Sequence, residues 1–480
     1  MSGLRSWWNK QLPLPLGTYG SPLLQTPLWI SQKQAKTSWH IIGTSGSGKS
    51  YMLAHLFLLL HRRGYAVTLI DPHGDLTKLV LSHLVASGVY RDPTSFERIL
   101  YLDLPTAERE NLFLPFNVLA QDGREDVIAA NIKEAFHRAW PELSQGAATF
   151  DTLLPDSILL LLHNKHPITA IHRLLVNEEF REQLLIRECD VDLVASFRDV
   201  YDKLRKPDQV AYAGSVLRRA RQLTQLPVLK YGLGQSHMVL NFRRIIDQNH
   251  SVIINLALHN PDARRLLGCF LTVGAEQGAL SRADIPAHLR KNTHHLIIDE
   301  FSQFTAQGEE ALTTMLSQTR KYGLFLVMAH QNWSQTSSKL RGAMQNVGVE
   351  VVFELGRDDA EYTARMIGRV DPRRIKHEVA DEQAGERTHP LFDPLGEQRE
   401  ILIQQLQDLP SRSFMLKVRS KPVQQGRTID VTVPVHDPSE LTMVEQEYLR
   451  RYFTPRQYLE EQPAIQLITQ AEPVCLVDVD

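Results

Sequence analysis

The residues with the clearest chemistry are a lysine and a serine that close a glycine-rich octet. Gly43-Thr44-Ser45-Gly46-Ser47-Gly48-Lys49-Ser50 fits G-x-x-x-x-G-K-[ST] at every fixed position. Glycines let such a loop wrap with its N–H groups pointing inward, and a helix starting at its end adds a dipole that favours an anion. In that setting Lys49 reaches the β- and γ-phosphates of a nucleoside triphosphate and Ser50 holds Mg²⁺. A second pair of reactive residues lies far along the chain, where His295-Leu296-Ile297-Ile298 runs into Asp299-Glu300. A carboxylate at the tip of a buried strand holds the Mg²⁺ shell, which assigns Asp299. Glu300, one residue on, is placed to orient and deprotonate a water for attack on the γ-phosphate. A hydrophobic-Asp-Glu string alone is weak, but paired with the glycine-rich octet it is specific.

Two further polar residues follow. Gln331 ends the apolar run 324–329. It is either a polar strand end or a sensor bonded to the γ-phosphate or the attacking water. Arg320 is either a helix-end cation interacting with the dipole or a guanidinium delivered to the next subunit's nucleotide as a trans arginine finger.

These residues need a sheet to carry them. The stretch 38–42 reads as a short buried strand and 51–63 as an apolar helix without Gly or Pro. Residues 65–70 and 99–103 read as further strands, and 251–257, 295–298, 324–329 and 350–354 as later ones. Helices are expected over 262–280, 308–320, 358–367 and 439–453. Asp71 ends the second strand at the edge where open α/β sheets bind ligands. It lies near the phosphates or belongs to a turn before a helix capped by Asp75. The segment 11–30, punctuated by Pro and Gly, is expected as an irregular lead-in, and 372–400 as a charged loop. Residues 412–418 and 427–433 are expected as a closing hairpin at the sheet's edge.

From 122 to 235 helical periodicity dominates, so an all-helical insertion is expected between early and late strands of one sheet. The expected division is 1–121 (lead-in and first part of the core), 122–235 (insertion), 236–438 (second part of the core) and 439–480 (C-terminal helix and tail). The end of the insertion carries Lys203, Arg205, Lys206, Arg218, Arg219, Arg221 and Lys230 against one acid, Asp208. It reads as a contact for DNA phosphates or a neighbouring subunit's nucleotide, or as a solvated helix face.

Composition sets limits. With 43% hydrophobic and 22% charged residues the chain is of ordinary globular type, and a net charge of −2 means that any nucleic-acid surface must be local. Cys189, Cys269 and Cys475 are too dispersed for a disulfide framework or a zinc site, which fits a reducing cytoplasm. No apolar run approaches the ~20 residues of a membrane span. The first ten residues, with Trp7-Trp8, lack a signal-peptide core.

The glycine-rich octet, Ile70-Asp71-Pro72-His73-Gly74-Asp75, Ile297-Ile298-Asp299-Glu300-Phe301, Arg320-Lys321-Tyr322-Gly323-Leu324 and Ala329-His330-Gln331 together resemble the HerA/FtsK group of motor ATPases. Within it they are most similar to the conjugative coupling proteins of type IV secretion, the TraD/TraG/TrwB class. Asn346, Phe353 and Asp358-Asp359-Ala360 fit the same pattern, and the helical insertion resembles that class's all-α domain. The resemblance covers most of 38–370 and is absent from the last 80 or so residues. It implies a RecA-like P-loop core with a predominantly parallel sheet, a hexameric ring, ATP hydrolysis between subunits and DNA threaded through the channel. It carries Lys49, Ser50, Asp299, Glu300 and Gln331 over as site residues, with Arg320 as the finger. Coupling proteins usually begin with transmembrane helices and HerA-type motors with a β-barrel; neither is expected here. A motor docked to a membrane partner, or one serving a mobile element or defence system, is therefore expected. A protein-transport or remodelling ATPase is the other reading. The loop after Gln331, with Trp333, Lys339 and Arg341, is the candidate channel lining.

Overall fold

A computed structural model describes residues 12–21, 24–144, 148–304, 315–316, 318–336, 338–369, 371–380, 388–419 and 421–461. Trp7-Trp8, most of the helix expected over 308–320, Cys475 and the acidic tail lie outside the described residues. So does the side chain of Lys339.

In chain order the strands are β1 Leu14–Ser21, β2 Leu24–Ile30, β3 Trp39–Ile42, β4 Ala66–Asp71, β5 Ile99–Asp103, β6 Leu112–Phe113, β7 Ser251–Asn255 and β8 His294–Ile298. They continue with β9 Leu324–His330, β10 Val349–Val352, β11 Ile375–Ala380, β12 Thr388–Phe392, β13 Ser413–Val418, β14 Gln424–Thr428 and β15 Thr454–Pro455. Eleven of them form one sheet in the order β2-β1-β14-β13-β10-β3-β9-β8-β4-β7-β5. From β10 to β5 every neighbouring pair is parallel; from β13 outward every pair is antiparallel.

The parallel strands are continuous apolar runs because both faces are covered. Alternate residues enter opposite cores: Ile41, Val67, Leu69, Ile297 and Val327 face one side, and Ile42, Ile70, Leu296, Ile298 and Met328 the other. The first face is covered by the helices Lys49–Arg62, Asp75–Ala86 and Pro438–Tyr452. The second is covered by Pro261–Leu280 together with helices from 125 onward. Among the described residues, 125–233 contains helices and no strand. The chain enters and leaves this part side by side: Phe116 N–H donates to Gly232 O (3.0 Å), and Val239 N–H donates to Pro115 O (3.0 Å). A buried ion pair, Arg138 to Glu276 at 3.0 Å, ties its helix Glu125–Ala139 to Pro261–Leu280.

Three expectations change. The proline-rich lead-in forms β1 and β2, an antiparallel hairpin. Its prolines are tolerated because β2 is the sheet's edge and a register irregularity falls between Pro15 and Gly17. That hairpin covers β14, so the β13–β14 pair is interior rather than at the edge, and its second strand is Gln424–Thr428 rather than 427–433. The charged stretch 372–400 is not a loop: it contains the β11–β12 pair and the start of a helix, Leu395–Gln407.

Strand β8 opens with two fully buried histidines. His294 Nε2 pairs with Thr68 Oγ1 (2.7 Å), and His295 Nε2 donates to Ala35 O (3.2 Å). Burial pulls His294 down to about 3 and His295 to about 4. Above pH 6.5 neither the folded nor the unfolded chain protonates them. As pH falls from 6.5 toward 4, only the unfolded chain takes up these protons, so stability falls by up to about 1.4 kcal/mol per pH unit per group. Thermal melts from pH 7 to 4.5 should show this loss, with a flatter slope for His295→Leu; an unchanged slope counts against it.

Candidate functional site

The glycine-rich octet connects β3 to the helix Lys49–Arg62, as the phosphate-cradle geometry requires. Its shape depends on two glycines in particular. Gly48 has φ +116 and a Cβ there would lie 3.0 Å from Arg412 Cα; a Cβ on Gly43 would lie 2.5 Å from Phe353 Cβ. The loop is braced from outside and from within. Thr44 N–H donates to Glu354 O (2.9 Å), Arg412 N–H to Ser47 O (2.7 Å), and Ser47 Oγ–H to Thr44 O (2.7 Å). Lys49 is buried, and its Nζ donates to Gly43 O (2.6 Å) and Thr44 O (3.0 Å). Burial lowers its pKa, against the opposing pull of Glu300 and Asp299. Ser50 is exposed in the first helical turn.

Strand order brings the other chemistry alongside. β9 lies between β3 and β8, so Gln331 at the end of β9 sits between the glycine-rich loop and the acids after β8. Gln331 Nε2 donates to Glu300 Oε1 at 2.9 Å. Glu300 is buried in a left-handed conformation, φ +47, and its N–H donates to Asp299 Oδ1 (3.1 Å). A non-glycine residue in that region is held there by its surroundings, and such strain clusters at functional sites. Burial, then Asp71 and Glu300, push Asp299 up to about 7. Asp71 is itself buried and accepts from His73 N–H (2.9 Å) and Thr77 N–H (3.0 Å), so it caps the helix at which Asp75 begins.

This crowding of carboxylates suits a cation. Among the described residues no three or more His, Cys, Asp or Glu form a metal-holding group. Mg²⁺ is commonly bound through one or two side chains, waters and substrate phosphates. Ser50 and Asp299 would be its protein ligands, and the ion would supply charge neutralisation at the phosphates.

Two buried histidines, given no role from sequence, fasten β9 to β3. His330 Nδ1–H donates to Asn332 O (2.9 Å), which leaves its Nε2 to accept from His40 Nε2–H (2.7 Å). Burial and His40 hold His330 well below its ordinary pKa, in keeping with a neutral His330 ring. Isolated histidines in apolar runs give no sequence signal for such a pairing. Trp333 is buried against both rings, 4.8 and 5.3 Å between centroids, and its indole N–H donates to Thr363 Oγ1 (2.8 Å). It is therefore core rather than channel lining. Arg341 stacks on Tyr362 at 5.4 Å.

Arg320 is not brought to this site. It lies just before β9, whereas Gln331 lies just after it, about 20 Å away along seven strand residues. It lines a cleft of about 170 Å³ at the amino-terminal edge of the sheet, with Thr37, Ser38, Asn346 and Arg419. Four of the seven cations of the basic stretch are ion-paired: Lys203 with Asp199 (2.7 Å), Arg205 with Asp208 (2.8 Å), Lys206 with Glu178 (2.8 Å), and Arg219 with Glu142.

Fold and site define a P-loop ATPase fold in which one strand separates the phosphate-loop strand from the acidic strand. Comparison with known proteins bears out the resemblance to the conjugative coupling proteins. Residues 293–399, which include Asp299, Glu300, Arg320 and Gln331, match the family described as "TraM recognition site of TraD and TraG". The fold is similar to that of the bacterial conjugative coupling protein TrwB lacking its first 70 residues (15% identity, TM-score 0.53, 84% of this chain and 87% of that chain). It is also similar to TrwB in complex with ADP and Mg²⁺ (16%, 0.53, 86% and 90%). A third similar structure is VirB4 of Thermoanaerobacter pseudethanolicus (13%, 0.55, 82% and 89%). No curated protein sequence matches the chain. Among the described residues no helix is long and apolar enough to cross a membrane.

Proposed function

We propose that this chain is an ATP-hydrolysing ring motor that moves DNA, in the manner of a conjugative coupling protein. The observation that carries the reading is the Gln331–Glu300 hydrogen bond at the mouth of the phosphate cradle. It ties a water-activating carboxylate to a residue on the neighbouring strand tip, where the γ-phosphate of a bound nucleotide would arrive. In this reading Thr44, Ser45, Gly46, Ser47 and Gly48 wrap the phosphates, with Gly43 at the base of the loop. Lys49 leaves the carbonyls of Gly43 and Thr44 for the β- and γ-phosphates, and Ser50 and Asp299 hold Mg²⁺. Glu300 takes the proton of the attacking water. Gln331 exchanges its bond to Glu300 for one to the γ-phosphate, which links nucleotide state to the loop after β9. Arg320, remote from its own cradle, serves the next subunit in a hexameric ring.

The segment 122–235 is read as an all-helical domain inserted into the motor core. The partners are DNA and a membrane-bound component of a secretion system. The match to a TraM recognition site supports a role beside a DNA-processing complex. A second reading, an ATPase that transports or remodels protein, is favoured by one observation: four of the seven cations in the basic stretch are already paired with carboxylates of the same chain.

Steady-state ATP hydrolysis with and without single- and double-stranded DNA separates the two. The DNA motor is expected to show stimulation that weakens as salt rises. Turnover indifferent to DNA at every salt concentration transfers the assignment to the second reading.

A further inference from the structure

We propose that Arg419 is a second cation for the neighbouring subunit's nucleotide, working beside Arg320. The inference rests on the ring reading above and extends it to a residue that no motif marks.

Arg419 follows Val418, the last residue of β13. Because β13 runs antiparallel to β10, Val418 lies opposite Val349, the first residue of β10, so Arg419 emerges at the amino-terminal edge of the parallel strands. Arg320 reaches the same edge from the start of β9, and both arginines line the one cleft. Its other lining residues, Thr37, Ser38, Leu316, Ala343, Asn346 and Gly348, include no carboxylate. Both arginines are exposed. Neither is among the described ion pairs, whereas Arg412, a few residues before Arg419, is paired with Asp430. Arg419 also has a left-handed backbone, φ +33, an uncommon conformation outside glycine.

Two guanidiniums lining one acid-free cleft give it a positive potential that favours an anion there. A polyphosphate suits this geometry, since a guanidinium presents planar paired donors to phosphate oxygens. The chain's own cradle lies at the opposite edge of the sheet, so the phosphates must come from another molecule. A ring in which this edge faces the next subunit's cradle supplies them at every interface. Phosphates of bound DNA are the other source of the same chemistry, and the experiment separates the two.

Arg419→Ala, Arg419→Lys and Arg320→Ala are compared in the full chain for ATP turnover, KM for ATP and DNA affinity. Arg419→Ala is expected to lower turnover by about ten- to a hundredfold, the equivalent of one charged hydrogen bond, with Arg419→Lys partly restored and DNA affinity unchanged. Mixing Arg419→Ala subunits with Glu300→Gln subunits is expected to recover activity, because interfaces then form with an intact Arg419 facing an intact Glu300. Normal turnover in Arg419→Ala beside a defective Arg320→Ala overturns the inference and leaves the ring reading standing. Weakened DNA binding with unchanged DNA-free turnover also overturns it, assigning the cleft to nucleic acid. Failure of mixing to rescue overturns the trans role. Normal turnover in both alanine variants removes the ring reading itself.

Discussion

Glu300→Gln is expected to lower ATP turnover by about 10²- to 10⁴-fold, the range associated with loss of a positioned general base, while nucleotide still binds. The separation of the two effects follows from the geometry. Glutamine keeps an oxygen at the position where Glu300 Oε1 accepts from Gln331 Nε2 at 2.9 Å, so the side chain stays placed. It loses only the ability to take a proton. The charge it removes is one of those that push Asp299 up to about 7, so Asp299 becomes a more readily ionised carboxylate and the cation site is not weakened. Turnover and equilibrium binding of a fluorescent ATP analogue, measured on the same preparation, check both halves. Turnover within tenfold of the parent removes Glu300 from the mechanism, and loss of binding makes it structural.

Arg320→Ala is expected to cost on the order of 10³-fold in turnover, the lower end of what an arginine finger supplies. Its position makes a stronger demand than the size of the effect. With seven residues of β9 between Arg320 and the cradle of its own chain, the guanidinium has no route to its own nucleotide. Mixed rings of Arg320→Ala and Glu300→Gln subunits should therefore regain turnover where the intact finger of one meets the intact glutamate of the other. A residue acting within its own chain gives no such recovery, because every site would then carry one defect. Turnover of the mixture against each variant alone decides it.

The parts of this site that were legible in the sequence are those fixed by local geometry. Lys49 and Ser50 end a loop whose glycines are required by backbone conformation and close approach. Asp299 and Glu300 end a run that is apolar because both faces of β8 are buried. The α/β class followed from the same runs. What sequence could not supply was lateral order. Nothing in 324–331 says that β9 lies between β3 and β8, yet that placement is what brings Gln331 to Glu300 and His330 to His40. The edge hairpin β1–β2 was hidden for a related reason. Its prolines and glycines read as irregular because their cost depends on whether a strand has a neighbour on both sides, and only the tertiary arrangement decides that. Arg419 belongs with these cases, since an arginine after a closing strand acquires meaning only from the cleft it shares with Arg320, a hundred residues earlier.

Movement along DNA is the central claim, and it is measured most directly by displacement of a triplex-forming oligonucleotide from duplex DNA under ATP. ATP-dependent displacement is expected, with a lag that lengthens with the distance between the free end and the triplex. The signal is expected to be absent for Glu300→Gln. Robust ATP hydrolysis without displacement at any spacing, on duplex or on single strands carrying an end-bound block, would contradict a DNA motor and leave the protein-directed reading in its place.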